Sequence, residues 1–118
     1  MHEFSLALSM INYIEEICKK NGIKKIDSIH IEIGGMTHID PSQFRFCFKF
    51  LSKEILGGTF RLYIKKVKPK LICNNCKKII ELDMKKINEF NFKCPNCEGE
   101  LIIEKGKELT LKRIKGRK

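Results

Sequence analysis

Cys73-Asn74-Asn75-Cys76 and Cys94-Pro95-Asn96-Cys97 decide how this chain folds. The two CxxC pairs are separated by residues 77 to 93, a spacing that belongs to structural zinc sites. Two residues between cysteines let one tight turn aim both sulfurs at the same metal. A second such turn completes a tetrahedron of thiolates, the donor set that suits Zn²⁺. Four sulfurs fill the coordination sphere, so no position is left for a substrate or an activated water. The pattern therefore predicts a structural metal rather than a catalytic one. The competing reading is a pair of disulfides or four free thiols. No export signal is legible around these cysteines, and thiols stay reduced in the cytosol.

The chain has 118 residues, 42% of them hydrophobic. That length suits one domain, or one domain with a small appendage. No apolar run reaches the length of a membrane span. Met1-His2-Glu3-Phe4 lacks a basic segment followed by a long apolar one, so no signal peptide is expected and the expected compartment is the cytoplasm. Lys and Arg number 24 against 14 Asp and Glu, a formal charge of +10. Four thiolates on one Zn²⁺ would lower it to about +8. Basic charge with a zinc ribbon raises nucleic acid as a partner. The Lys residues are spread along the chain, however, and cluster only at 65–70 and 113–118. Cys18 and Cys47 have no CxxC partner and sit among apolar neighbours, where they read as small buried hydrophobes.

Periodicity places the remaining elements. Residues 4 to 20 read as a helix with a stripe of Leu6, Met10, Tyr13, Ile14 and Ile17, widened by Ala7, Ile11 and Cys18. Lys19 and Lys20 suit its C-terminus, and Asn21-Gly22 stop it. Residues 26 to 33 alternate Ile29, Ile31 and Ile33 with Ser28, His30 and Glu32, a strand with one dry face. A second helix, 41 to about 56, opens with Asp40 as N-cap, Pro41 at the first helical position and Gln43 as the reciprocal cap. Its buried stripe is Phe44, Phe48, Leu51 and Ile55, broadened by Phe46 and Phe50. A second strand follows at 60–66, then a basic linker through Pro69. A last strand, 108–114, is expected to return to the first sheet. The expected fold is α+β: a small three-stranded sheet packed with two helices, plus an inserted zinc-ribbon-like module. Residues 1–68 and 105–118 would form the discontinuous main domain, and 69–104 the zinc module, too poor in large apolar residues to fold without metal.

His2 stands apart. A histidine at position 2 brings the terminal amine, a backbone amide and an imidazole together. Fused chelate rings of this kind favour planar nitrogen coordination, which suits Ni²⁺ or Cu²⁺ better than Zn²⁺. A chance histidine at a frayed chain end is the competing reading.

The run Met1-His2-Glu3-Phe4-Ser5-Leu6 resembles the start of the HypA/HybF family, the nickel metallochaperones of [NiFe] hydrogenase maturation. Further matches are Ile31-Glu32-Ile33-Gly34, the stretch from Asp40 to Phe48, Gly58-Thr59, both CxxC pairs, and Gly106-Lys107-Glu108-Leu109. They cover essentially the whole chain, in order. The resemblance implies nickel ligation by His2, with Glu3 tied to the nickel site and to partner docking. It implies zinc ligation by Cys73, Cys76, Cys94 and Cys97. Asp40 matches a carboxylate used at the nickel site by some members, while also completing the N-cap. The implied cargo is Ni²⁺ and the implied structural ion Zn²⁺. The implied partners are a nickel-handling GTPase and the hydrogenase large subunit, with no membrane. Lys77 and Glu98 stand where the family often has Gly. His38 replaces an apolar loop residue and is either a further nickel ligand or a solvated loop histidine.

Three functions compete. A nickel carrier follows from the N-terminus and the resemblance. A zinc-ribbon nucleic-acid binder follows from charge and cysteines, against which the phenylalanines lie on a helix at core spacing rather than among lysines on exposed strands. An enzyme is disfavoured, because the sequence has no nucleophile–base pairing, no phosphate loop and no open metal site.

Overall fold

A computed structural model describes residues 2–118. The first helix, α1, is His2–Asn21. Its end is a Schellman turn: Ile23 N–H donates to the Cys18 carbonyl at 2.9 Å, with Gly22 left-handed at φ +67°. Asn21 Nδ2 also donates to the Ile17 carbonyl at 2.8 Å. The fully buried line of α1 is Ala7, Ile11 and Ile14. These spacings of four and three make a narrower stripe than the sequence reading drew, and one rotated from it. Tyr13, assigned to that stripe, is 56% exposed. Helix α1 packs against the second helix.

That second helix, α2, is Pro41–Ile55 and buries Phe44, Phe48, Leu51 and Ser52. Phe46 and Phe50 do not broaden the buried face; they are 70% and 58% exposed. At 3.6 residues per turn, Phe46 and Phe50 lie about 200° round the helix from Phe44 and Phe48, on the side away from the core. Asp40 caps the helix as expected, its Oδ1 accepting the Ser42 N–H at 3.0 Å. The reciprocal bond comes from elsewhere. The Asp40 N–H donates to the Glu3 carboxylate at 3.1 Å, so a residue of α1 takes the part that sequence spacing gives to Gln43. Cys18 and Cys47 are partly buried rather than enclosed.

Strands β1 (Lys25–Gly34), β2 (Arg61–Val67) and β6 (Leu109–Arg117) form one three-stranded sheet in the order β2-β1-β6. The last strand thus returns beside the first, as the sequence implies. Ile29, Ile31 and Ile33 give β1 its dry face. Ser28, on the face expected to be wet, is buried, and its hydroxyl lies 3.2 Å from His30 Nε2. A second sheet, in the order β4-β3-β5, joins β3 (Lys70–Cys73), β4 (Ile79–Glu81) and β5 (Leu101–Lys105). Both pairings of β3 are antiparallel, with Leu71 opposite Ile80 on one side and Ile103 on the other.

The described chain divides into two compact units. The first holds residues up to Glu32, Ile39–Lys65 and Thr110–Lys118; the second holds Ile33–His38 and Lys66–Leu109. In the second unit, the stretch read as a linker is a packed element: β3 begins one residue after Pro69, which is fully buried. Three backbones cross there. A Cβ on Gly34 would come within 2.3 Å of Gly106, and one on Gly106 within 2.5 Å of the Pro69 Cα. The chain can pass through this crossing only without side chains at 34 and 106. Gly34 N–H donates to the Glu108 carbonyl at 3.0 Å and Met36 N–H to the Gly106 carbonyl at 2.8 Å, which ties the crossing together.

Candidate metal centre

The two knuckles are built alike. Each CxxC turn closes on itself. Lys77 N–H donates to the Cys73 carbonyl at 3.0 Å, and Glu98 N–H to the Cys94 carbonyl at 2.8 Å. Cys73 N–H then donates to the Lys78 carbonyl, and Cys94 N–H to that of Gly99. Lys77 and Glu98 hold φ of 64° and 59°, the left-handed region in which glycine is ordinarily found. Both positions are left-handed while carrying full side chains. Gly99 serves a different need: a Cβ there would come within 3.2 Å of the Cys73 and Cys97 sulfurs.

All four sulfurs lie within 4.8 Å of one another. Cys73 Sγ is 3.4 Å from Cys97 Sγ, and Cys76 Sγ is 3.6 Å from Cys94 Sγ. A disulfide needs sulfurs about 2.05 Å apart. Thiolates about 2.3 Å from a shared Zn²⁺ lie about 3.8 Å from each other. The four therefore fit one tetrahedral zinc, and the disulfide reading is set aside.

Backbone and side-chain donors point into the sulfurs. Cys76 N–H reaches Cys73 Sγ and Asn96 N–H reaches Cys94 Sγ, both at 3.4 Å. The Cys76 amide is the main reason the Cys73 thiol falls to about 6, and the Lys78 amide likewise lowers Cys76. At Cys97 the Gly99 amide pulls downward, but the neighbouring Cys73 sulfur pushes the thiol up on balance. A divalent cation resolves that crowding by holding all four as thiolates. Two asparagine side chains add donors. Asn75 Nδ2 is 3.6 Å from Cys97 Sγ, and Asn96 Nδ2 is 3.8 Å from Cys76 Sγ. The sequence reading missed them, although asparagine recurs at the third position of both CxxC pairs.

The second unit has little else to hold it. Its buried side chains around the cage are Pro69, Leu71, Cys73, Leu82 and Cys94, while Ile79, Phe92 and Ile102 are largely exposed. A core this small depends on its metal.

A family model for hydrogenase/urease nickel incorporation metallochaperones, HypA, matches residues 1–116. The chain belongs to the HypA family. HypA proteins are metallochaperones of hydrogenase maturation rather than enzymes. The hydrogenase maturation factor HypA of Methanococcus aeolicus is 38% identical, over 95% of this chain and 94% of its own. That of Actinobacillus succinogenes is 31% identical over 97% of each. The solution structure of the Ni metallochaperone HypA from Helicobacter pylori superposes with a TM-score of 0.69, at 28% identity over 98% of this chain and 97% of that one. The two chains therefore share one fold over nearly their whole length.

The other candidate residues are arranged differently. Among the described residues, the four cysteines alone converge as a ready metal cage. His2 is exposed at the start of α1. Glu3 is held by its bond from the Asp40 amide, which lowers its pKa from the ordinary carboxylate value. Asp40 sits at the N-terminus of α2. The terminal amine of Met1 lies outside the described residues. His38 is an exposed left-handed residue at φ 60°. Among the described residues, no helix is long and apolar enough to cross a membrane.

Proposed function

We propose that this HypA-family chain carries Ni²⁺ at its N-terminus, through the His2 imidazole and the backbone nitrogens of His2 and Glu3, with Glu3 and Asp40 supplying charge. It acts in the cytoplasm, receives or passes nickel with a nickel-handling GTPase, and delivers the ion to the hydrogenase large subunit. Zn²⁺ on Cys73, Cys76, Cys94 and Cys97 keeps the second unit folded.

The bond from the Asp40 amide to the Glu3 carboxylate carries this reading. It joins the start of α2 to the residue beside His2. Helix α1 begins at His2, and the first four amides of a helix have no acceptor within it. The amides of His2 and Glu3 can therefore bind a metal without breaking helical bonds. Two helix N-termini meet at Glu3, and both carry partial positive charge. A dication settles there only with compensating negative charge, from the Glu3 and Asp40 carboxylates and from amides that lose their protons. Asp40 Oδ1 is engaged in the cap, but a carboxylate has a second oxygen, so cap and ligand roles are compatible. Nickel binding then releases protons, and affinity rises with pH.

Nickel titration of the native chain, His2→Ala and an N-terminally tagged form tests the proposal. Tight binding is expected only in the native chain, with zinc content equal in all three. Equal nickel affinity after deletion of residues 1–3 would end it.

Nucleic-acid binding finds one supporting feature, Tyr63 exposed on β2 between Arg61 and Lys65. One face of its ring is already covered by His30, stacked with centroids 4.7 Å apart, which leaves a poor platform for a base. Absence of binding at moderate salt is the expected result.

A further inference from the structure

We infer that Asn75 and Asn96 are crossed straps on the zinc cage, each shielding the outer sulfur of the opposite knuckle; this rests on reading the four sulfurs as a zinc site. The geometry is nearly two-fold. Asn75, on the first knuckle, donates to the last cysteine of the second, Cys97, at 3.6 Å. Asn96, on the second knuckle, donates to the last cysteine of the first, Cys76, at 3.8 Å. The direction follows from charge: an amide oxygen turned toward a thiolate would be repelled, so the nitrogen faces the sulfur.

The targets are the sulfurs that need covering. Cys73 and Cys94 are enclosed by protein, whereas Cys76 and Cys97 lie at the surface. An exposed thiolate is open to electrophiles and to exchange of the metal. A side-chain N–H disperses charge from the sulfur and occupies the approach to it. Because each strap crosses to the other knuckle, it also joins two turns far apart in sequence. Shielding by a residue's own turn would leave the knuckles free to separate; shielding across the metal opposes separation. Gly99 leaves the room required, since a Cβ there would press within 3.1 Å of the Asn75 Cβ.

The crossing gives a signature that a general loosening would not. In zinc-loaded full-length protein, iodoacetamide labelling is followed cysteine by cysteine by mass spectrometry, with zinc release to a coloured chelator measured in parallel. Asn75→Ala is expected to raise labelling of Cys97 about three- to tenfold, the factor of one hydrogen bond. Asn96→Ala is expected to do the same at Cys76. Zinc loss should quicken in both, and most in the double variant. Asn75→Leu and Asn96→Leu keep the size and remove the donor without adding charge, and should behave like the alanine forms if either of those fails to fold. Unchanged labelling, or a rise confined to the cysteine of the mutated knuckle itself, overturns the crossed arrangement. Wild-type protein lacking one equivalent of zinc counts against the cage reading beneath it.

Discussion

Lys77 and Glu98 hold left-handed backbone in the knuckle turns, a conformation that costs an L-residue roughly 1–2 kcal/mol. Glycine removes that cost and adds back part of it as freedom in the unfolded chain. Lys77→Gly and Glu98→Gly should each stabilise the zinc-loaded protein by up to about 1 kcal/mol, read by denaturant unfolding. Glu3 sets a pH dependence. Its folded pKa is lowered, first by the bond from the Asp40 amide. Its contribution is therefore present above the ordinary carboxylate pKa and is lost as pH falls through the lowered value. Glu3→Ala should be less stable than wild type at neutral pH, and the two melting temperatures should converge in acid.

Elements meet where side chains allow it. Where Gly34, Gly106 and Pro69 cross, a Cβ on either glycine would strike backbone, so Gly34→Ala and Gly106→Ala must push backbones apart. Each should cost roughly 3 kcal/mol or more, at the severe end for point substitutions. Gly57 is the contrast: it is also left-handed, at φ +70°, but has nothing within 4 Å. Gly57→Ala should cost only about 1 kcal/mol. Thermal melts of the three variants separate crowding from backbone conformation. In α2, Phe44 and Phe48 lie one turn apart on the buried face, while Phe46 between them projects to the opposite side.

Across the whole molecule, the two units draw on different sources of stability. The first buries Ile11, Ile14, Ile29, Ile31, Phe44 and Phe48 completely or nearly so. The second buries few large side chains and relies on four sulfurs. Chelation of zinc should erase amide-exchange protection in β3, β4 and β5 while α1 and α2 keep theirs, followed by hydrogen exchange with and without chelator. Equal loss in both units would show that the metal is not specific to the second.

Local sequence pattern was enough to place the four-cysteine cluster, the two helices, the Asp40 cap and the return of the last strand. Each rests on a short-range rule: two residues per knuckle, a 3.6-residue period, a cap one residue before Pro41, alternation along a strand. Tertiary structure alone decided what depends on a partner distant in sequence. Gln43 has the spacing of a reciprocal cap, but the Glu3 carboxylate holds the Asp40 amide. Pro69 has the look of a linker, but it is buried where three backbones cross. Asn75 and Asn96 look like ordinary turn residues until the fold carries each to the other knuckle's sulfur. Local pattern fixes what a residue can do; which of those things it does is set by the groups that folding brings within hydrogen-bond or van der Waals reach.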